Sequence, residues 1–262
     1  MFANAGSYER FMGRWSRLIA GRLIDFANVP DEGQLLDIGS GTGALSFVIA
    51  RRKANARVIG VDPSKEYIAY ATSINPVPDR ITFEIGDAQH LRFSRATFES
   101  SLSLLVFNFI PDPLSAVKEA RRVTKPGGVI AAAVWDYGAD MRMLRIFWDA
   151  AASIDDRAKK LDEAHMPLCR SGELAQLWKK AGLENVREQP LNIEIRFDTF
   201  EDYWRPFLFG QGPAGAYAAR LDSGDLHRLR SELKRRLSLA GEDSFFVLPA
   251  RAWATYGTVP RE

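Results

Sequence analysis

The segment Leu35-Leu-Asp-Ile-Gly-Ser-Gly-Thr-Gly43 constrains this chain more than any other. The apolar run reads as a buried strand, the three alternate glycines as a sharp turn, and Ala44 to Arg52 as the helix that follows. Glycine lets the backbone turn where a side chain would obstruct it, and lets a ligand approach the main chain without a Cβ in the way. Such a turn lies at the carboxyl end of its strand, where open α/β sheets bind their ligands.

The strand–helix alternation continues. Arg57–Val61, Ile81–Ile85, Ser101–Phe107 and Val129–Trp135 read as further strands, and Ser64–Ser73 and Asp112–Thr124 as helices between them. Asp112 suits an N-cap and Pro113 the first helical position. Pro126-Gly-Gly128 reads as a turn. Beyond it, Met141–Ile154, Ser171–Ala181 and most of Phe200–Leu239 read as helical, the last broken at Gly210–Gly215. Val186–Phe197 and Phe245–Thr258 read as extended, the latter interrupted by Pro249 in the manner of an edge strand or bulge. Ahead of the glycine turn, Phe11, Trp15, Leu18, Ile19 and Leu23 give Tyr8–Phe26 a helical period. The expected fold is α/β, a doubly wound, mostly parallel seven-stranded sheet with helical cap insertions. No Pro/Gly/Ser linker divides the chain. It reads as one domain over 1–262, with a cofactor-binding core at 34–136, an N-terminal helical cap at 1–30 and insertions at 137–170 and 198–241.

With 262 residues, 46% of them hydrophobic, the chain can bury a large core. A formal net charge of +2 gives no strong field for nucleic acid or an anionic membrane, so neither partner is expected. Basic residues at 228–236 share their helix with an apolar leucine stripe and read as a solvated outer face. No apolar run approaches the length of a membrane span, and the start has no signal-peptide pattern. The lone cysteine, Cys169, reads as a buried thiol suited to a reducing compartment, so the expected location is cytoplasmic. No paired Cys/His spacing suggests a metal.

Two acids extend the glycine signal. Asp62 closes the second strand, where a carboxylate can accept hydrogen bonds from ribose hydroxyls. Asp87 closes the third, in Gly86-Asp87-Ala88, where it can accept from an adenine amino group while the Ala88 amide meets a ring nitrogen. In LLDIGSGTG, VIGVDPS, GDAQHLRF and FNFIPDPLSAVKEARRVTKPGGVI, from about Gln34 to Trp135, the chain resembles the class I S-adenosylmethionine (SAM)-dependent methyltransferases, in their small-molecule branch. The resemblance implies SAM as cofactor. It places Gly39, Ser40 and Gly41 under the methionine and ribose portions, Asp62 and Pro63 at the ribose, and Asp87 and Ala88 at the adenine. It makes Leu104 and Leu105 a wall of the site, with Tyr8 and Trp15 closing over it. Arg92 stands where the family often has proline, Glu99 where it has aspartate, and Asn108 where histidine is frequent.

Direct displacement at an activated methyl group needs alignment and exclusion of water; it needs a base only if the acceptor must lose a proton. His165, in the insertion after the fifth strand, is the one weak candidate base. His90 follows the adenine motif, and His227 falls on the basic helix. Aromatics at Phe147, Trp148, Phe200, Tyr203, Trp204, Phe207, Phe209 and Tyr217 favour a small, partly apolar acceptor, or else pack the caps. The alternatives are a non-catalytic SAM-binding module and a nicotinamide-dependent dehydrogenase, whose G-x-G-x-x-G spacing differs by one residue from that seen here. Oligomeric state is not legible.

Overall fold

The computed structural model describes residues 5–237 and 244–261, without the side chains of residues 7, 8, 10 and 11. In chain order the elements are α1 (Ala5–Tyr8), a π-helical turn (Glu9–Gly13), α2 (Arg14–Phe26), β1 (Glu32–Ile38), α3 (Ala44–Arg52), β2 (Asn55–Asp62), α4 (Lys65–Ser73), β3 (Ile81–Ile85) and β4 (Phe98–Leu104). A 3₁₀ turn (Phe107–Phe109) leads to α5 (Pro113–Val123), β5 (Thr124–Trp135), α6 (Arg142–Ile154), α7 (Ala158–Leu161), a 3₁₀ turn (Glu163–His165), α8 (Glu173–Lys180) and β6 (Glu184–Phe197). Then come α9 (Phe200–Trp204), a 3₁₀ turn (Arg205–Phe209), α10 (Gly212–Ala218), α11 (Ser223–Leu237) and β7 (Phe246–Thr258).

The strands form one seven-stranded sheet in the order β3-β2-β1-β4-β5-β7-β6. Strands β1 to β5 pair in parallel, and β7 runs antiparallel to β5. This is the doubly wound, mostly parallel sheet that the strand–helix alternation predicts. Several boundaries differ from expectation. β4 begins at Phe98 and ends at Leu104, rather than running from Ser101 to Phe107: Ser100, ahead of the expected start, already pairs with β1 and β5 on both sides. The Pro126-Gly-Gly128 stretch lies inside β5 as a register irregularity, because Thr124 already pairs with Phe98. β7 is an interior strand, continuous through Pro249, whose missing N–H falls ahead of the ladder from Ala252 to Thr258. In the last helical stretch the break is shorter than Gly210–Gly215: Gly212 already opens α10, with Pro213 in its first turn.

Residue contacts divide the chain into two compact units. One comprises 13–135, 167–191 and 252–262; the other comprises 1–12, 136–166 and 192–251.

The first unit holds β1 to β5 and parts of β6 and β7. Leu36, Ile38, Val61, Phe98, Ile130 and Val134 pack on Val117 and Ala120 of α5 and on Leu174 and Trp178 of α8. Trp178 donates its indole N–H to the Ile130 carbonyl at 3.0 Å, which satisfies the one polar atom that its burial would otherwise strand.

The second unit is mainly helical, with an aromatic core. Phe147 stacks on Phe207 with ring centroids 4.4 Å apart, Phe197 stacks on Phe246, and the Tyr203 hydroxyl donates to the Met143 carbonyl at 3.0 Å. Phe147, Trp148, Phe200, Tyr203, Trp204, Phe207 and Tyr217 are all buried. Only Phe209 of the expected acceptor-facing aromatics is exposed, so these rings pack the unit rather than line an open surface.

Candidate functional site

The turn after β1 is held by the next strand. The N–H groups of Gly39 and Ser40 both donate to the Val61 carbonyl, at 2.8 and 2.9 Å. Gly39 has φ +73°, and a Cβ there would lie 2.5 Å from Val106 Cγ1, so alanine is excluded on both counts. Gly41, at φ +52°, is different: a Cβ would meet nothing closer than the Tyr67 ring at 3.9 Å, which leaves room beside the main chain. Asp62, the last residue of β2, accepts from Gly41 N–H at 3.0 Å and from Ser64 N–H at 2.8 Å. Burial pushes its pKa upward against those two bonds.

Asp37, which the sequence reading passes over, lies in β1 and is fully buried. One oxygen, Oδ2, accepts both the main-chain N–H and the hydroxyl of Ser46, at 3.1 and 2.7 Å. The other, Oδ1, has no partner among the described residues, and neither has the buried Ser40 Oγ. Desolvation raises the Asp37 pKa to about 7, and the nearby Asp62 charge acts in the same direction. An unsatisfied buried polar group costs about 1–3 kcal/mol. The signal was present in the sequence, as an acid inside an otherwise apolar strand two residues before the glycine turn.

At the end of β3, Gly86 N–H donates to the Asp62 carbonyl at 3.1 Å, which ties the third strand end to the second. The Asp87 carboxylate is 53% exposed and accepts from the Gln89 main-chain N–H at 2.9 Å. That bond is the chief cause that holds its pKa below the usual carboxylate range. Ala88 is half-buried, and Pro63 is exposed beside Asp62. Leu104 ends β4, and Leu105 follows with φ +63°, a left-handed backbone that leucine seldom adopts; its N–H donates to the Ala133 carbonyl at 2.7 Å.

Because β1 to β4 are parallel neighbours, Gly39, Ser40, Gly41, Asp62, Pro63, Asp87, Ala88, Leu104 and Leu105 all fall at one carboxyl edge of the sheet. Trp15 belongs to the same unit but is 2% exposed and presents almost no surface to a ligand. The Tyr8 side chain lies outside the described residues. His165 falls in the helical unit, exposed at the end of a 3₁₀ turn. His90 and His227 are exposed, and Asn108 is buried. Cys169 is buried, and no group of metal-ligating side chains occurs among the described residues.

The donor and acceptor set can be matched to a ligand. Two buried acceptors without partners stand at the turn, space opens beside Gly41, and an exposed, acceptor-only carboxylate stands at the third strand end. They suit a molecule with a cationic end, hydroxyls in the middle and a donor-bearing ring at the other end.

A parallel sheet with a glycine turn and acids at successive strand ends defines a nucleoside-binding α/β domain. Residues 36–132 match the family model described as a methyltransferase domain. The chain is 30% identical to 2-methyl-6-phytyl-1,4-hydroquinone methyltransferase of Synechocystis sp., over 46% of its own length and 38% of that protein's. It is 32% identical to erythromycin 3''-O-methyltransferase of Saccharopolyspora erythraea, over 43% and 38%. It thus spans well under half the length of these relatives. The fold is shared with phosphoethanolamine N-methyltransferase 2 of Haemonchus contortus, solved with S-adenosylhomocysteine, at TM-score 0.61 and 18% identity, over 98% of this chain and 57% of that one. Residues 36–132 are thus similar to a methyltransferase domain, the fold is that of SAM-dependent methyltransferases, and SAM is the cofactor the site fits. No described helix is long and apolar enough to cross a membrane.

Proposed function

We propose that the protein transfers the methyl group of SAM to a small-molecule acceptor by direct displacement. The observation that carries this reading is the convergence of the Gly39–Gly43 turn, Asp62 and Asp87 at one edge of the sheet, with the Asp37 and Ser40 acceptors unpartnered beside the turn. The cofactor supplies an already activated methyl group on a sulfonium. The chain's residues bind and orient it. Gly39, Ser40 and Gly41 carry the methionine and ribose portions, with Asp37 offering its second oxygen to the cationic end. Asp62 and Pro63 meet the ribose, Asp87 and Ala88 the adenine, and Leu104 and Leu105 exclude water from the reacting side.

The chemistry needs no dedicated base unless the acceptor is protonated, and the position frequent for histidine in the family holds the buried Asn108. The relatives named for a hydroquinone and a macrolide support a small organic acceptor. The cations of α11 are largely paired, Arg228 with Asp225, Arg230 with Glu201, and Arg235 and Arg236 with Glu232, which argues against a nucleic-acid face. A buried lone thiol accords with a cytoplasmic setting.

Titration calorimetry with SAM, S-adenosylhomocysteine and NAD tests this. The first two bind and NAD does not; NAD binding without SAM binding refutes the proposal. Asp62→Ala weakens cofactor binding by roughly 10- to 150-fold, and unchanged affinity would remove Asp62 from the site.

A further inference from the structure

The loop after β3 carries a set of contacts that the roles above leave unused. The Gln89 side-chain Nε2 donates to both oxygens of Asp87, at 3.1 and 3.3 Å. Its Oε1 accepts the main-chain N–H of Asp112 at 3.0 Å. Asp112 is the N-cap of α5, and its carboxylate accepts from Ser115 N–H at 3.1 Å. One side-chain amide therefore joins a strand-end carboxylate to the start of a helix packed on the sheet.

The same helix grips the loop farther along. Glu119 accepts the Leu91 N–H at 3.0 Å, and Arg122 donates to the carbonyls of Leu91 and Phe93 at 2.8 and 2.7 Å. Without the Gln89 side chain, the exposed Asp87 carboxylate would keep only the Gln89 main-chain N–H, on Oδ1, and its Oδ2 would lose the amide that ties it to α5. His90 is a poor substitute: its Nδ1 stands 3.9 Å from Asp87 and its side chain is largely in solvent.

We propose that Gln89 is a positioning residue that braces the Asp87 carboxylate between the β3 end and the α5 cap, and so sets the preference for a 6-amino over a 6-keto purine in the cofactor. The inference rests on the SAM reading of the site. An ionised carboxylate only accepts hydrogen bonds, so it attracts an amino donor and repels a keto oxygen, but only while it is held facing the ring. The Gln89 main-chain N–H first, and its side-chain amide in smaller part, favour the charged, acceptor-only form of Asp87.

The test is a ratio. Dissociation constants for S-adenosylhomocysteine and S-inosylhomocysteine are measured by calorimetry on the full chain, on Gln89→Met, which keeps length but neither donates nor accepts, and on Asp87→Ala as the floor. The wild type prefers the adenosyl ligand, Gln89→Met loses about tenfold of that preference, and Asp87→Ala abolishes it. Because the ratio is read within each variant, a general loss of stability drops out of it. If Gln89→Met weakens both ligands equally, or leaves the ratio intact, the positioning role is overturned. A wild type that binds neither ligand overturns the SAM reading itself, and this inference with it.

Discussion

The sheet unit and the helical unit differ in which buried polar groups they leave unmet. In the sheet unit, Asp37 Oδ1 and Ser40 Oγ are sealed from water without a partner, both at the glycine turn. In the helical unit two acids are matched, Asp162 accepting from Arg145 Nη1 at 2.9 Å and Glu163 from the Trp148 indole N–H at 2.8 Å, and the unmet atoms among the described residues are Arg145 Nε and Gln211 Oε1. Unmet hydrogen-bonding capacity is costly, and an unmet carboxylate oxygen next to a glycine turn offers a cationic ligand a partner that the unmet atoms of the helical unit do not. The aromatic-rich unit advertises a binding pocket in its composition yet closes its rings on one another, while the features proposed to bind the cofactor lie on the regular sheet.

The largest test of this contrast is Phe147→Ala. Phe147 is fully buried against Trp148, Phe207 and Tyr217, and its loss costs about 3–5 kcal/mol in denaturant unfolding. If the rings are core, S-adenosylhomocysteine affinity changes by less than about threefold in the folded variant. A well-folded variant with much weaker binding would make these aromatics part of the site and break the comparison.

Next come two buried carboxyls, one in each unit. Burial raises Glu163 and Asp37 to about 7 from ordinary values of 4.5 and 3.8. A raised acid pKa means that the folded state holds the proton more tightly. The associated stability is therefore full at low pH and is lost as pH climbs from the ordinary value through about 7. Glu163→Gln keeps an acceptor for Trp148 and removes that loss, which makes it about 3 kcal/mol more stable relative to wild type at pH 8 than at pH 4.5. Urea midpoints at the two pH values measure it, and parallel curves for variant and wild type would refute the assignment.

Asp37→Asn has the same sign without ligand, and a ligand separates the two. Saturating S-adenosylhomocysteine, which brings its own cation, reduces the pH dependence due to Asp37 and leaves that of Glu163 in place. The part that the ligand removes is about 1–2 kcal/mol. Equal ligand effects on both variants would erase the distinction between an acid kept for a ligand and an acid that is only buried.

The smallest expected effect is His90→Ala. His90 follows Asp87 closely in sequence, yet its side chain is 87% exposed. Cofactor affinity shifts by less than about threefold. A drop of a hundredfold would make His90 part of the site.

Legibility followed the same division. α3 and β3 fall where hydrophobic period and flanking turns put them, at Ala44–Arg52 and Ile81–Ile85. Asp112 caps α5 as its position ahead of Pro113 implies. The bounds of β4 were harder: Glu99 and Ser100, ahead of the expected start at Ser101, carry no apolar signal, yet Ser100, like Ser101 and Ser103 within the expected strand, is buried in the middle of the sheet. Ser103 donates to the Ile38 carbonyl at 2.8 Å, and the Ser101 and Thr124 hydroxyls are hydrogen-bonded to each other at 2.6 Å. Their partners are distant in sequence, and local pattern cannot report them. β7 falls where its sequence puts it, but its place in the sheet was hidden for a related reason: Pro249 suits an edge or a bulge, and only the sheet order shows an interior strand.

Within the chain itself, local chemistry determined the glycine turn, the acids at the ends of β2 and β3, and the alternation that makes a parallel sheet. Each depends on a few adjacent residues whose conformational preferences are strong. Tertiary structure alone decided that Asp37 is buried with one oxygen unmet, that Gln89 links Asp87 to the α5 cap, and that the aromatics of the helical unit face one another. Those facts depend on which groups far apart in sequence share a desolvated space, and the free energy of a polar or aromatic group is set by that space more than by its neighbours along the chain.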